Sequence, residues 1–177
     1  MDELTELIQD FKLETRFEGD QIEHIYDECD KISGKRVAKR HERWERVRLI
    51  GYGGFGAVWL EKCVAGEQIS SLRATKDIRC LNGRVDYARE LEALSKFSKA
   101  SSARWFCQSF GWYQKANTVC IAMEYFPLGD LQTYASQFVQ PLCEEDVQQV
   151  SLQVLEGLQY MHRRNIAHRD IKPSVSS

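Results

Sequence analysis

Apolar positions recur at two periods along this chain. In residues 144–162, Val147, Val150, Val154, Leu158 and Met161 follow steps of three and four, which predicts a helix. Leu91, Leu94 and Phe97 share one face of a second helix predicted over residues 84–97. Near the start, Leu4, Leu7, Ile8 and Phe11 alternate with Asp2, Glu3, Glu6 and Asp10, the pattern of a short amphipathic helix that packs on its own domain or on a partner. Residues 129–139 suggest one more short helix. Strand texture begins at Leu49. The stretch RLIGYGGFGAVWLEKCV reads as a strand, a glycine turn and a second strand; residues 69–79 read as a third. Residues 104–112 and 118–124 read as two more, around the turn QKAN. Residues 17–48 show no clean period and read as a helix or loop linker leading to Trp44. The last residues, from Ile166 to Ser177, read as a loop. The expected organisation is therefore a charged extension over 1–48 and a folded domain over 49–177.

Composition narrows the class. At 177 residues, with 43% hydrophobic and 28% charged, the chain suits one globular domain with an appendage, not a disordered chain or a fibrous rod. The longest uninterrupted apolar run, Val119 to Met123, is far short of the roughly 20 residues that span a bilayer. The start MDELTELIQD lacks the basic-then-apolar order of a signal peptide. The expectation is an intracellular protein, cytoplasmic or nuclear, with no membrane partner. The cysteines at 29, 63, 80, 107, 120 and 143 have no close spacing, so reduced thiols are expected and no metal-ligand set is assigned.

Charge is unevenly distributed around a net of -2. Residues 1–30 carry eleven acids and two bases; residues 31–48 carry eight bases and two acids. The basic run KRVAKRHERWERVR is compatible with nuclear import or a nucleic-acid contact, but the preferred reading is a solvated segment that pairs with the acidic stretch before it, and no nucleic-acid partner is expected.

Three motifs carry chemistry. Gly51-Tyr52-Gly53-Gly54-Phe55-Gly56 can bring backbone N–H groups close to phosphate oxygens. A dinucleotide fold would continue into a helix. Here Ala57-Val58-Trp59-Leu60 continues as a strand, which makes a glycine hairpin lying over a ligand. No GK[ST] follows, so it is not a Walker loop. Next, Lys76 sits among Leu72, Ala74 and Ile78 on the following strand, where it needs an anionic partner: a phosphate or Glu90, fourteen residues on. The last is His168-Arg169-Asp170-Ile171-Lys172-Pro173, the most specific string in the chain.

On these motifs, residues 49–173 resemble the first part of a eukaryotic protein kinase domain. GYGGFGAV, ATK, REL, AMEYF and HRDIKP come in the family's order and spacing. Lys172, two residues after the aspartate, resembles serine/threonine rather than tyrosine kinases. The resemblance implies an α+β fold: a small lobe over 49–124 made of a five-stranded antiparallel sheet plus one helix, a hinge over 125–129, and from 130 the first helices of an incomplete helical large lobe. It implies ATP as cofactor, magnesium beside it, and transfer of the γ-phosphate to a protein serine or threonine hydroxyl. Gly51, Gly53, Gly54 and Gly56 match the phosphate-covering loop; Ile50, Val58 and Ala74 match the apolar clamp on adenine. Lys76 matches the phosphate-holding lysine and Glu90 its helix partner, preferred to Glu92 because Leu94 then falls one turn later on the inner face. Met123 matches the residue at the back of the pocket, Glu124, Tyr125 and Phe126 the hinge, and Asp130 a polar residue near the ribose. Asp170 matches the catalytic base and Lys172 a stabiliser of the transferring phosphoryl group. His168 and Arg169 match residues that shape this loop.

The resemblance breaks beyond Pro173. Where the family pattern has asparagine, this sequence has Val175, which offers no oxygen to a metal, and Asp-Phe-Gly does not occur. The usual magnesium ligands are thus missing, and the expectation for residues 1–177 is phosphotransfer that is lost or weak. The simplest account is an incomplete protein. The alternative is a pseudokinase-like module that binds a nucleotide or a protein without catalysis. The apolar face of helix 144–162 is expected to lack cover, and so to suit a protein partner.

Overall fold

A computed structural model of the chain describes residues 8–29, 36–53, 56–79, 90–92, 96–97, 104–137 and 142–173. They belong to two units, Met1–Ser98 with Gln108–Tyr125, and Lys99–Cys107 with Phe126–Ser177.

The first unit is built on one antiparallel sheet. Its strands are β1 (Glu14–Glu18), β2 (Gln21–Cys29), β3 (Arg36–Gly53), β4 (Gly56–Ala65), β5 (Leu72–Arg79), β6 (Ser109–Lys115) and β7 (Thr118–Met123). The order across the sheet is β1-β2-β3-β4-β5-β7-β6. The five strands expected of the small lobe are β3 to β7, and two more join them. This corrects the linker expected over residues 17–48. The segment alternates after all, but its inward positions include His24 and Glu42, so no apolar period shows. The expected boundary at 48/49 falls inside β3. Two bulges, at Val47 and Ile50, bend this 18-residue strand so that one half pairs with β2 and the other with β4. A two-residue turn at Gly19-Asp20 joins β1 to β2, with Gly19 at φ +60 as such hairpins require.

The sheet closes on itself. Leu13 N donates to Trp112 O at 2.7 Å, and Trp112 N donates to Phe11 O at 2.9 Å. The residues just before β1 therefore pair with β6, the opposite edge, and satisfy backbone groups that an open sheet would expose. Gly111 makes this seam possible. At φ +125, a Cβ there would stand 2.6 Å from Phe11 O.

Closure separates two cores. Outside the barrel, Ile78, Leu91, Trp112, Val119 and Ile121 cluster, with Ile8, Phe11 and Met123 against them. Leu91 and Phe97 are buried and helical, as their spacing predicts; Leu94 and the first six residues of the predicted helix lie outside the described residues. Inside, Ile22, Trp44, Cys63, Tyr113 and Cys120 pack together with Leu13. Burial first, then the Asp77 carboxylate, pushes the Cys120 thiol up to about 12, so it stays protonated. Among the described residues Cys63, Cys107, Cys120 and Cys143 form no disulfide. Acidic and basic segments do pair across strands: Lys39 Nζ lies 3.6 Å from Glu14, and His41 Nδ1 lies 3.4 Å from Glu23.

The second unit holds α1 (Leu131–Ser136) and α2 (Glu144–His162). The first is shorter than the 129–139 expected. The second has the predicted bounds. Glu144, Glu145 and Asp146 in its first turn and His162 in its last both favour the helix dipole. Residues 104–106 form a turn instead of the start of a strand. The reason is tertiary: Trp105 Nε1 and Arg104 Nη2 both bond Glu156, at 3.0 and 2.9 Å, and the Trp105 ring lies 5.1 Å from Tyr160. Gly157 leaves room for Trp105 Cβ, which would stand 3.5 Å from an added Cβ. Gly157 and Met161 are the buried residues of α2. Val147, Leu152, Val154 and Leu155 on the same helix are exposed. No helix among the described residues is long and apolar enough to cross a membrane.

Candidate active site

The strand register assembles half of the expected site on one face of the sheet. Val58 pairs with Lys76, and Lys76 pairs with Ile121. One row over, Leu60 pairs with Ala74, and Ala74 with Met123. Directly paired residues point the same way, so Val58, Ala74, Lys76 and Met123 share the outer face of the barrel. Ile50 is partly buried at the β3 bulge. Gly51 pairs with Val58, and Gly53 with Gly56, which makes the glycine segment the tip of the β3–β4 hairpin, as its residues predict. Gly54 lies outside the described residues. Gly56 is the glycine whose backbone demands the residue type. It has φ +143, and a Cβ there would overlap Asp77 O. The returning arm of the hairpin thus packs directly on the backbone of the strand that carries Lys76.

Lys76 Nζ lies 2.9 Å from Glu90 Oε1. Glu92 instead pairs with Lys96, four residues on, at 2.6 Å. Both members of the Lys76–Glu90 pair are partly exposed, so the cation remains within reach of a ligand anion. At the edge of the unit, Glu124 N donates to Gln108 O at 2.8 Å. Tyr125 is the last residue of this unit, and Phe126 opens the next.

The other candidates belong to the second unit. Asp130 caps α1: Thr133 N donates to its Oδ1 at 2.6 Å. Hydrogen bonds from Thr133 hold the Asp130 carboxyl below the usual carboxylate range. Gln132 N donates to Pro173 O at 3.0 Å, which ties α1 to the HRD loop. In that loop Asp170 N donates to His168 Nδ1 at 3.3 Å, and Arg169 adopts φ 64. A non-glycine residue is uncommon there. Lys172 Nζ lies 3.0 Å from Asp170 Oδ2, with both side chains largely exposed.

Residues 44–174 match the model of the protein kinase domain. The chain belongs to the protein kinase family. It is 29% identical over 146 residues to serine/threonine-protein kinase PLK4 of Drosophila simulans, an overlap of 81% of this chain and 18% of that protein. It is 31% identical over 139 residues to PLK4 of Drosophila virilis, which covers 75% of this chain and 17% of that one. It is 26% identical over 174 residues to the probable serine/threonine-protein kinase ndrC of Dictyostelium discoideum, or 94% of this chain and 13% of that protein. The chain spans less than a fifth of the length of these relatives, which are named as serine/threonine kinases. The α+β kinase fold expected from the sequence is the one found, with the sheet of the small lobe enlarged.

The kinase family uses ATP with magnesium. The outer face suits the phosphates of ATP: it carries a partly exposed cation held by a carboxylate, on the strand against which Gly56 of the hairpin packs. Among the described residues no three His, Cys, Asp or Glu side chains gather as ligands, and Asp170 is paired with Lys172.

Residues that the sequence reading missed lie behind Lys76. Arg73, three positions before it on β5, and Asp77, next to it, point into the barrel, where they meet Glu61, Arg46 and His24. A signal existed. Charged residues on both faces of β5 require partners on both faces.

Proposed function

We propose that residues 49–173 grip ATP and present a catalytic base as a serine/threonine protein kinase does, for transfer of the γ-phosphate to a protein hydroxyl. The observation that supports this best is the Lys76–Glu90 ion pair at 2.9 Å, on the strand paired with the returning arm of the glycine hairpin. On this reading Lys76 holds the α- and β-phosphate oxygens, and Glu90 keeps its ammonium group in place. Backbone N–H groups of the Gly51–Gly56 hairpin cover the phosphates. Ile50, Val58 and Ala74 sandwich the adenine ring, Met123 backs it, and the backbone of Glu124, Tyr125 and Phe126 bonds its edge. Asp130 stands by the ribose. Asp170 accepts the proton of the substrate hydroxyl, and Lys172 spreads the charge of the moving phosphoryl group.

Residues 1–177 on their own transfer phosphate weakly or not at all. Phosphoryl transfer depends on neutralising charge in the transition state, and Val175 supplies nothing toward that. The same observation supports a second reading, a module that binds nucleotide without catalysis. ATP added in a thermal-shift titration should raise the melting temperature of the wild type and not of Lys76→Met. Unchanged melting in both would remove the nucleotide reading. Radiolabelled transfer to a generic basic protein, abolished in Asp170→Asn, would instead show an active kinase and remove the non-catalytic one.

A further inference from the structure

Lys76 stands on a strand that is held from behind by a relay of polar contacts, and the relay begins in the segment before the first expected kinase strand. Leu13, at the closing seam, bonds Trp112 O at 2.7 Å. Thr15 Oγ1 donates to Leu13 O at 3.0 Å and lies 2.9 Å from His24 Nδ1. His24 Nε2 lies 2.8 Å from Arg73 Nη2. A guanidinium only donates, so Nε2 accepts, and the ring proton sits on Nδ1 and is donated to Thr15. Arg73 also gives Nε and Nη2 to Glu61 Oε2, at 2.9 and 2.7 Å. Glu61 Oε1 lies 3.5 Å from Arg46 Nε, and Arg46 Nη2 donates to Asp77 Oδ1 at 2.7 Å. Six strands or strand ends are thereby tied to Arg73 and Asp77, the one three positions before Lys76 and the other next to it, and Asp77 O is also the atom on which Gly56 packs.

We propose that the β1–β2 hairpin is a positioning device for the phosphate-binding lysine: through His24 it fixes Arg73 and Asp77, and the affinity for ATP depends on it. The proposal rests on reading Lys76 as a ligand of the phosphates.

Stability alone does not account for this interior. Buried ion pairs are weak stabilisers, and an apolar filling of the same volume often does as well. Here Arg73 Nη1 and Thr75 Oγ1 are buried and have no hydrogen-bond partner among the described residues, a further cost. What the relay does provide is a defined geometry. Each contact is directional, and His24, Glu61 and Arg73 are entirely buried, so β5 has few ways to shift against β2 and β4. A shift of about 1 Å at a binding group is enough to weaken its contacts severely.

The test measures ATP and adenosine affinity of the full chain by calorimetry. In His24→Leu, which removes the acceptor for Arg73, ATP should bind roughly tenfold more weakly, the size of coupling typical of residues in one network, while adenosine binds as before. His24→Gln, which offers an acceptor and a donor at similar places, should restore ATP affinity. Wild-type ATP affinity in folded His24→Leu overturns the proposal. Equal loss of both ligands also overturns it, because general loosening would not single out the phosphates. Should His24→Leu fail to fold, Thr15→Val is the substitute, with the same direction and a smaller loss expected; unchanged affinity there overturns the proposal as well. Lys76→Met separates the two claims. If it binds ATP as well as the wild type, the phosphate reading falls and the device with it. If it binds weakly while His24→Leu does not, the device alone falls.

Discussion

His24 Nε2 and Arg73 Nη2 lie 2.8 Å apart inside the barrel, so a residue from the N-terminal hairpin contacts one three positions from Lys76. The kinase sheet of this protein is thus not complete without residues that precede residue 44, where the family match begins.

That contact makes stability depend on pH. Burial first, then the Arg73 guanidinium, lowers the His24 pKa to about 2. Glu42, its partner across β2 and β3, and the rings of Tyr113 and Tyr26 also face it. A histidine whose folded pKa is depressed contributes fully above its unfolded value of about 6.5, and the contribution fades as pH falls toward the folded value. Urea unfolding at pH 7 and pH 5 should therefore show a loss of about 2 kcal/mol attributable to this residue. His24→Gln should show a correspondingly smaller slope. Equal slopes in the two proteins would place the titration elsewhere.

Closure of the barrel should hinge on Gly111. Alanine there would be strained at φ +125, and its Cβ would meet Phe11 O at 2.6 Å and the Leu13 side chain at 2.9 Å. Gly111→Ala should lower stability by at least about 1–3 kcal/mol, and hydrogen exchange should quicken at Leu13 N and Trp112 N. Unchanged protection at both amides would mean the seam tolerates the methyl group.

Neighbouring carboxylates in one helical stretch should differ in their effect on nucleotide. Glu90 holds Lys76 and Glu92 holds Lys96. Glu90→Gln should weaken ATP binding several-fold, in line with the ≲1 kcal/mol typical of a partly exposed pair. Glu92→Gln should leave it alone. A fluorescent-nucleotide titration checks both, and a reversed order would reassign the partner of Lys76.

Helix α2 has two kinds of apolar residue. Met161 is 7% exposed and Leu155 is 62% exposed. Met161→Ala should cost about 2–5 kcal/mol in unfolding experiments on the second unit. Leu155→Lys should cost almost nothing and should reduce light scattering in concentrated solution, because it interrupts an exposed apolar surface that includes Leu152. Destabilisation by Leu155→Lys would show that this face is already covered.

The sequence allowed some of this to be read in advance, and the reason is locality. The glycine hairpin needs only Gly51 to Gly56 and the strand after it. Helix 144–162 needs only its own period of apolar residues, and the structure gives it the same bounds. Lys76 on its strand calls for an anionic partner, the kinase resemblance points to Glu90, and the two meet at 2.9 Å. Each of these rests on residues near one another in the chain. The barrel interior does not. His24, Glu61 and Arg73 are polar residues with no apolar period around them, and each looks like a surface residue until the other two arrive from strands up to 49 positions away. Burial turns them from solvated charges into a bonded core, and burial is decided when Leu13 reaches Trp112 across the closing seam. That closure depends on the bends of β3 and on the absent side chain of Gly111, which only folding in three dimensions brings to bear on residues near the start of the chain.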